Sequence, residues 1–212
     1  PLRTGYAVTF KDSFNSLIDG SPTVDRYTVR ATDVGLTNAT LDVLFASSGL
    51  HSTQDITCDR GALMARAYVD LASSGRAFKV ETTAVTGEYL PRDLTVGSSW
   101  QQTYTIVMKP TGTARPEDIG TTPDMHGTVT IQHRAVSEER VTVPFGTYTA
   151  IMVKSSTQMK LDAIGNGVSA ELPGVSIEST EWWARGVGMI KAQTQMGSGF
   201  ASTAEAETIV IP

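Results

Sequence analysis

One cysteine in 212 residues, Cys58, leaves no possibility of an intramolecular disulfide or a cysteine-based metal cluster. It is expected to be a small buried hydrophobe on a strand. Basic residues are also few: the net charge is −5 and the isoelectric point is near 5.2, so no basic stripe follows a phosphate backbone and no nucleic-acid partner is expected. No apolar run reaches the roughly eighteen residues that a membrane-spanning helix needs. The three histidines, His51, His126 and His133, have no second histidine or any cysteine at ligand spacing. Asp124 and His126 lie close in sequence, but two ligands do not make a metal site. The nearest approach to a nucleophile elbow, Gly197-Ser-Gly-Phe200, lacks its spacing, and acidic pairs such as Glu138-Glu139 and Glu117-Asp118 sit in polar surroundings. The chain is therefore read as a non-enzyme without catalytic residue, metal or cofactor.

Threonine and serine, by contrast, supply roughly a fifth of the residues and valine is abundant, the composition of strands with one hydroxylated face. From Arg26 onward the apolar residues alternate with period two. Strands are expected over Arg26–Thr32, Thr40–Ala46, Thr53–Thr57, Ala62–Tyr68, Arg76–Thr86, Trp100–Met108, Thr128–Val143, Thr147–Leu161, Val175–Ala184, Gly188–Gln195 and Glu205–Ile211. Asp12–Ile18 is the one helix candidate, halted by Gly20-Ser-Pro22. Connections are short, with Asp59-Arg-Gly61 and Ser73-Ser-Gly75 as tight turns. The exception is Lys109–Gly127, which carries three prolines and reads as a long exposed loop. The expected fold is all-β: one domain over residues 1–212, a large curved antiparallel sheet of about ten or eleven strands, meandering as a half-barrel or barrel.

Along Trp100–Met108 one parity carries Trp100, Gln102, Tyr104, Ile106 and Met108, and this side is buried or faces a ligand. Around Met152 both parities are apolar, which places that strand centrally in the sheet. Trp182 and Trp183 must point to opposite faces of one strand. The seven methionines are spread over the expected strands and suit either gap filling or a surface curved around a flexible ligand.

Three runs follow one another in an informative order: Leu90-Pro-Arg-Asp-Leu-Thr-Val-Gly-Ser-Ser-Trp100, Glu139-Arg-Val-Thr-Val-Pro-Phe-Gly-Thr-Tyr-Thr-Ala150 and Trp182-Trp-Ala-Arg-Gly-Val-Gly-Met-Ile-Lys191. Together they resemble bacterial exported proteins of the DUF3108-like type, over roughly the C-terminal 125 residues. Pro144 with Gly146, and Gly186 with Gly188, account for turns between strands, while Trp100 and Trp183 are expected to anchor core layers. Phe145 and Arg185 depart from the small residue and the proline usual in that pattern. The resemblance implies an extracytoplasmic β protein, similar to the half-barrels of lipoprotein carriers, and brings no catalytic residue with it. The absence of an initiator methionine before Pro1 is expected of a sequence that begins either after a removed leader or at an artificial boundary.

The leading expectation is thus an exported or cell-envelope protein that binds a lipid-like or hydrophobic ligand on a concave sheet. Tyr104, Met108, Met152 and Trp183 are the expected lining residues. The alternative is a structural or protein-interaction module of the envelope with no small-molecule ligand.

Overall fold

The computed structural model describes residues 3–15, 20–59, 62–73, 76–111, 124–165, 168–197 and 199–212. Those residues form thirteen strands: β1 (Ala7–Asn15), β2 (Pro22–Val34), β3 (Asn38–Phe45), β4 (His51–Asp59), β5 (Ala62–Ser73), β6 (Arg76–Gly87), β7 (Ser99–Thr111), β8 (Asp124–Val143), β9 (Gly146–Gly165), β10 (Val168–Glu171), β11 (Val175–Ala184), β12 (Gly188–Met196) and β13 (Phe200–Val210). All pairings are antiparallel, and neighbours in sequence pair in space except that β11 returns to β9 beside the short β10. The first strand then pairs with the last. Twelve strands therefore have a hydrogen-bonded neighbour on each side, with β10 as an addition on β9, so the curved sheet closes into a barrel-like ring. Closure removes the unpaired edges that a sheet this long would otherwise expose.

Two strands exceed the sequence expectation. β10 is only four residues long, and β1 occupies Asp12–Asn15, where a helical turn was expected; residues 16–18 of that candidate lie outside the described residues. The reason is tertiary. Val8 and Phe10 are buried from the same side as Asp12, and a carboxylate at an inward position hides the alternation. The loop expected over Lys109–Gly127 is shorter, because β7 runs to Thr111 and β8 begins at Asp124; residues 112–123 are outside the described set. The turns at Asp59–Gly61 and Ser73–Gly75 also fall partly outside it.

The main buried cluster joins the tip of the β8–β9 hairpin to β11, β12, β13 and β1. Val141, Val143 and Ala150 pack with Trp182, Ala184 and Ile190, and with Ala204, Ala206, Val8 and Phe10. Pro144 and Phe145 make the two-residue turn at the tip, whose Phe145 amide donates to the Ala206 carbonyl at 3.1 Å. Of the adjacent tryptophans it is Trp182, not Trp183, that anchors this core. A bulge between them in the β11–β12 ladder separates their surroundings further.

The β6–β7 connection, residues 88–98, lies over one end of the ring. It is tied to β5 by Tyr89 N to Leu63 O (2.7 Å) and Leu63 N to Leu90 O (2.8 Å). Its far side is tied to β8 by Gly97 N to Ala135 O and Ala135 N to Ser98 O, both 2.9 Å. Gly87 starts the connection at φ 80°, and a Cβ there would lie 2.0 Å from the Gln101 carbonyl oxygen, so both the backbone conformation and the space require glycine.

Candidate functional site: an interior cavity

Period-two alternation sends Val8, Phe10, Val29, Leu41, Val43 and Ile56 of β1–β4 to the inside of the ring. They bound a cavity of about 940 Å³, closed on other sides by Ile151, Trp183, Tyr6, Tyr89, the 184–189 turn and the connection at Leu90–Val96. The lining is mainly apolar. Gly188, at φ 109°, lets that turn approach Tyr6, whose hydroxyl donates to the Val187 carbonyl at 2.8 Å; a Cβ on Gly188 would meet the hydroxyl at 2.8 Å. Leu36, fully exposed on the β2–β3 turn, and the half-exposed Val96 and Ile211 form part of the rim. Cys58 follows Ile56 on the inward face of β4 but is exposed, not buried as expected, because it sits near the strand end where the cavity opens.

The four expected lining residues occupy different places. Trp183 lines the cavity, donates its indole N–H to Glu181 Oε2 at 2.9 Å and meets the Tyr89 ring edge-on at 6.0 Å. Tyr104 is half-buried on the inward side of β7 and donates its hydroxyl to Gln102 Oε1 at 2.6 Å. Met108, four residues along β7, pairs with Met125 and Val80 and is not in the cavity lining. Met152 is opposite Trp182, and so packs on the core cluster rather than into the cavity. Ile151, on the other parity of β9, lines the cavity instead, and a strand apolar on both parities does not show which one turns inward.

Gln102 stands buried on the parity expected to face inward, whereas the interior carboxylates and His133 were not anticipated. One register row runs Asp25, Asp12, Ala204, Ala192, Glu181, Val153, Ala135 across seven strands. Burial pushes the Glu181 carboxyl above the usual range, against the Trp183 hydrogen bond that lowers it. Asp12 is raised by burial and by the neighbouring charge of Asp25, and its Oδ1 has no hydrogen-bond partner. Burial also opposes ionisation of Asp25, but the Ser47 hydroxyl at 2.5 Å and the amides of Arg26 and Ser47 outweigh it and hold that carboxyl low. Burial pushes Tyr6 up to about 12; Tyr104 reaches about 12 through burial and the nearby Glu181 charge. Tyr27 and Tyr89 are raised further for the same two reasons, with Asp12 also acting on Tyr27. The one available signal was Glu181's place two residues before Trp183, which puts both on one face.

On the next inward row His133 stacks on Trp100, with ring centroids 5.0 Å apart, and shares a 2.7 Å hydrogen bond between Nδ1 and Ser155 Oγ. Its Nε2 has no partner, and burial pulls its pKa down to about 4, so the ring is neutral at physiological pH. A second depression of about 520 Å³, beside Gln132, Arg134, Lys154 and Glu178, is more open to solvent than the cavity. Among the described residues no three His, Cys, Asp or Glu side chains converge as metal ligands, and no helix is long and apolar enough to cross a membrane.

Residues 54–199 match the family model described as DUF3108-like. The chain belongs to the DUF3108-like family. No curated protein matches it. This DUF3108-like chain is similar in fold to a "putative exported protein with YmcC-like fold" from Bacteroides fragilis, at 13% identity and TM-score 0.56, with 100% of this chain and 98% of that one covered. It is also similar to a "putative lipoprotein" from Parabacteroides distasonis, at 12% identity and TM-score 0.52, covering 99% and 97% of the two chains. At these identities the likeness establishes the fold.

Proposed function

We propose that this DUF3108-like protein is a non-enzymatic, extracytoplasmic binding protein that holds a lipid-like or hydrophobic ligand inside its ring of strands. The observation that carries the reading is the cavity of about 940 Å³, within the size range of small-molecule sites and walled by Val8, Phe10, Leu41, Val43 and Ile56. Trp183 is the lining residue expected from sequence that borders this space. The names given to the two structural neighbours support a place outside the cytoplasm, and a ring built from both ends of the chain supports reading residues 1–212 as one domain.

Native mass spectrometry of protein purified without detergent tests this directly, together with titration of an apolar fluorescent dye. A co-purifying apolar adduct, or dye binding lost when Val43 or Ile56 is changed to Phe, is the expected result. Absence of both, in a folded protein, overturns it. The alternative, an envelope interaction module without ligand, draws on the exposed apolar rim at Leu36, Val96 and Ile211. It predicts self-association or partner capture that Leu36→Ser abolishes while dye binding is absent.

A further inference from the structure

Because every pairing is antiparallel, the β2–β3 turn, the β6–β7 connection, the β11–β12 turn and the residues after β13 all lie at one end of the ring. Three large apolar side chains stand out from that end, and all three line the cavity: Leu36 on the β2–β3 turn, fully exposed, and the half-exposed Val96 and Ile211. A single exposed leucine is ordinary, but three such residues around one opening form a patch. Their backbone is held. The Gly35 amide donates to the Asn38 carbonyl at 2.8 Å and the Cys58 amide to the Thr37 carbonyl at 2.7 Å, one on each side of Leu36. Val96 precedes Gly97, whose amide donates to the Ala135 carbonyl, and Ile211 precedes Pro212, whose carbonyl accepts from Arg3 at 3.2 Å. The exposed Val24 and Leu44, by contrast, lie towards the opposite end, near the start of β2 and the end of β3.

The same lining carries charge of both signs. Arg92, Asp93, Glu138 and Arg185 are all exposed, and among the described residues none of the four is joined to a partner by a side-chain hydrogen bond or an ion pair. Two guanidinium groups and two carboxylates complement a surface that offers phosphate and ammonium groups together. A purely anionic surface is disfavoured by the two acids at the opening and by the net charge of −5. A bilayer of zwitterionic phospholipid meets both demands, with head groups of both signs above hydrocarbon that accepts apolar tips. A folded protein would have to match the shape of tips on three separate elements, whereas lipid chains yield to them.

We infer that this end of the ring docks on a zwitterionic phospholipid surface, with Leu36, Val96 and Ile211 inserted among the lipids and the cavity opening onto them. This rests on the carrier reading above, since a bilayer is the store from which an apolar chain would reach the cavity. The test is flotation of the full chain with vesicles of phosphatidylcholine alone and of phosphatidylcholine mixed with phosphatidylglycerol. Binding to phosphatidylcholine alone is expected, unchanged by added salt and not strengthened by phosphatidylglycerol. Leu36→Ser, at a side chain that touches solvent only, should weaken it about tenfold or more, while Leu44→Ser at the opposite end leaves it unchanged. Three results overturn the assignment: no flotation of the folded protein, flotation only with phosphatidylglycerol, or equal losses in the two variants. Self-association lost in Leu36→Ser, without vesicle binding, overturns it in favour of an interface between copies of the chain. The two readings fail separately: apolar dye binding without flotation removes the docking surface and leaves the carrier, and flotation without dye binding removes the carrier and leaves the docking surface.

Discussion

Trp182 and Trp183 are neighbours in sequence and belong to two different parts of the molecule. Trp182 is buried among Val141, Val143, Ala184 and Ile190, its indole N–H donates to Glu139, and Lys191 lies over its ring. Trp183 borders an open volume, with a buried carboxylate for its hydrogen-bond partner. One tryptophan closes space and the other leaves it. The packed side is where the β8–β9 tip bends onto β13, and the hollow side is where, among the described residues, β1–β4 bound the cavity. The same chemical group therefore stabilises the fold at one position and shapes a candidate binding surface at the next.

The comparison can be broken by mutation. Trp182→Ala removes a large buried ring from a packed cluster and is expected to cost about 3–5 kcal/mol, read as a fall in the urea midpoint. Trp183→Ala, beside space that already exists, should cost only about 1–2 kcal/mol while weakening apolar dye binding. Equal losses of stability would show that the hollow side is packed after all. Glu181→Gln is expected to act in the opposite direction. Because the folded-state pKa of Glu181 is raised, its ionisation penalty grows as pH rises through that value and is fully present above it. The ligand-free variant should be more stable than the parent at neutral pH, with the gain vanishing below the ordinary carboxyl range. His133 gives the smallest effect at neutral pH and the reverse dependence. Its pKa is lowered from 6.5 to about 4, so the stability of the neutral buried ring is complete above pH 6.5 and lost as pH falls towards 4. His133→Gln should flatten that part of the stability profile, measured as urea midpoint against pH. A parent protein with no slope between pH 6.5 and 4 would argue against a buried neutral ring.

Much of the fold was legible in short-range pattern. The β8–β9 hairpin was readable because Pro144 and Gly146 punctuate two long alternating runs, and the burial of both Ala150 and Val153 matches a β9 that is apolar on both faces, although in a closed ring no strand is central. Cys58 was misread because alternation tells which way a residue points but not whether the space it points into is filled. Met152 stands on the other parity of β9 from the cavity-lining Ile151 and meets Trp182, because a strand apolar on both faces does not show which face turns inward. β1 escaped notice because its inward position 12 is an aspartate, and a period read from hydrophobicity cannot recognise an inward carboxylate.

By itself the sequence determined strand, turn and parity, since these depend on residues two to four apart and on glycine and proline geometry. The pairing of β1 with β13, the alignment of Asp12, Asp25 and Glu181 along one row, and the empty volume beside Trp183 were decided only by tertiary structure. Each is a relation between residues far apart along the chain, and closing the ring is what brings them to the same interior.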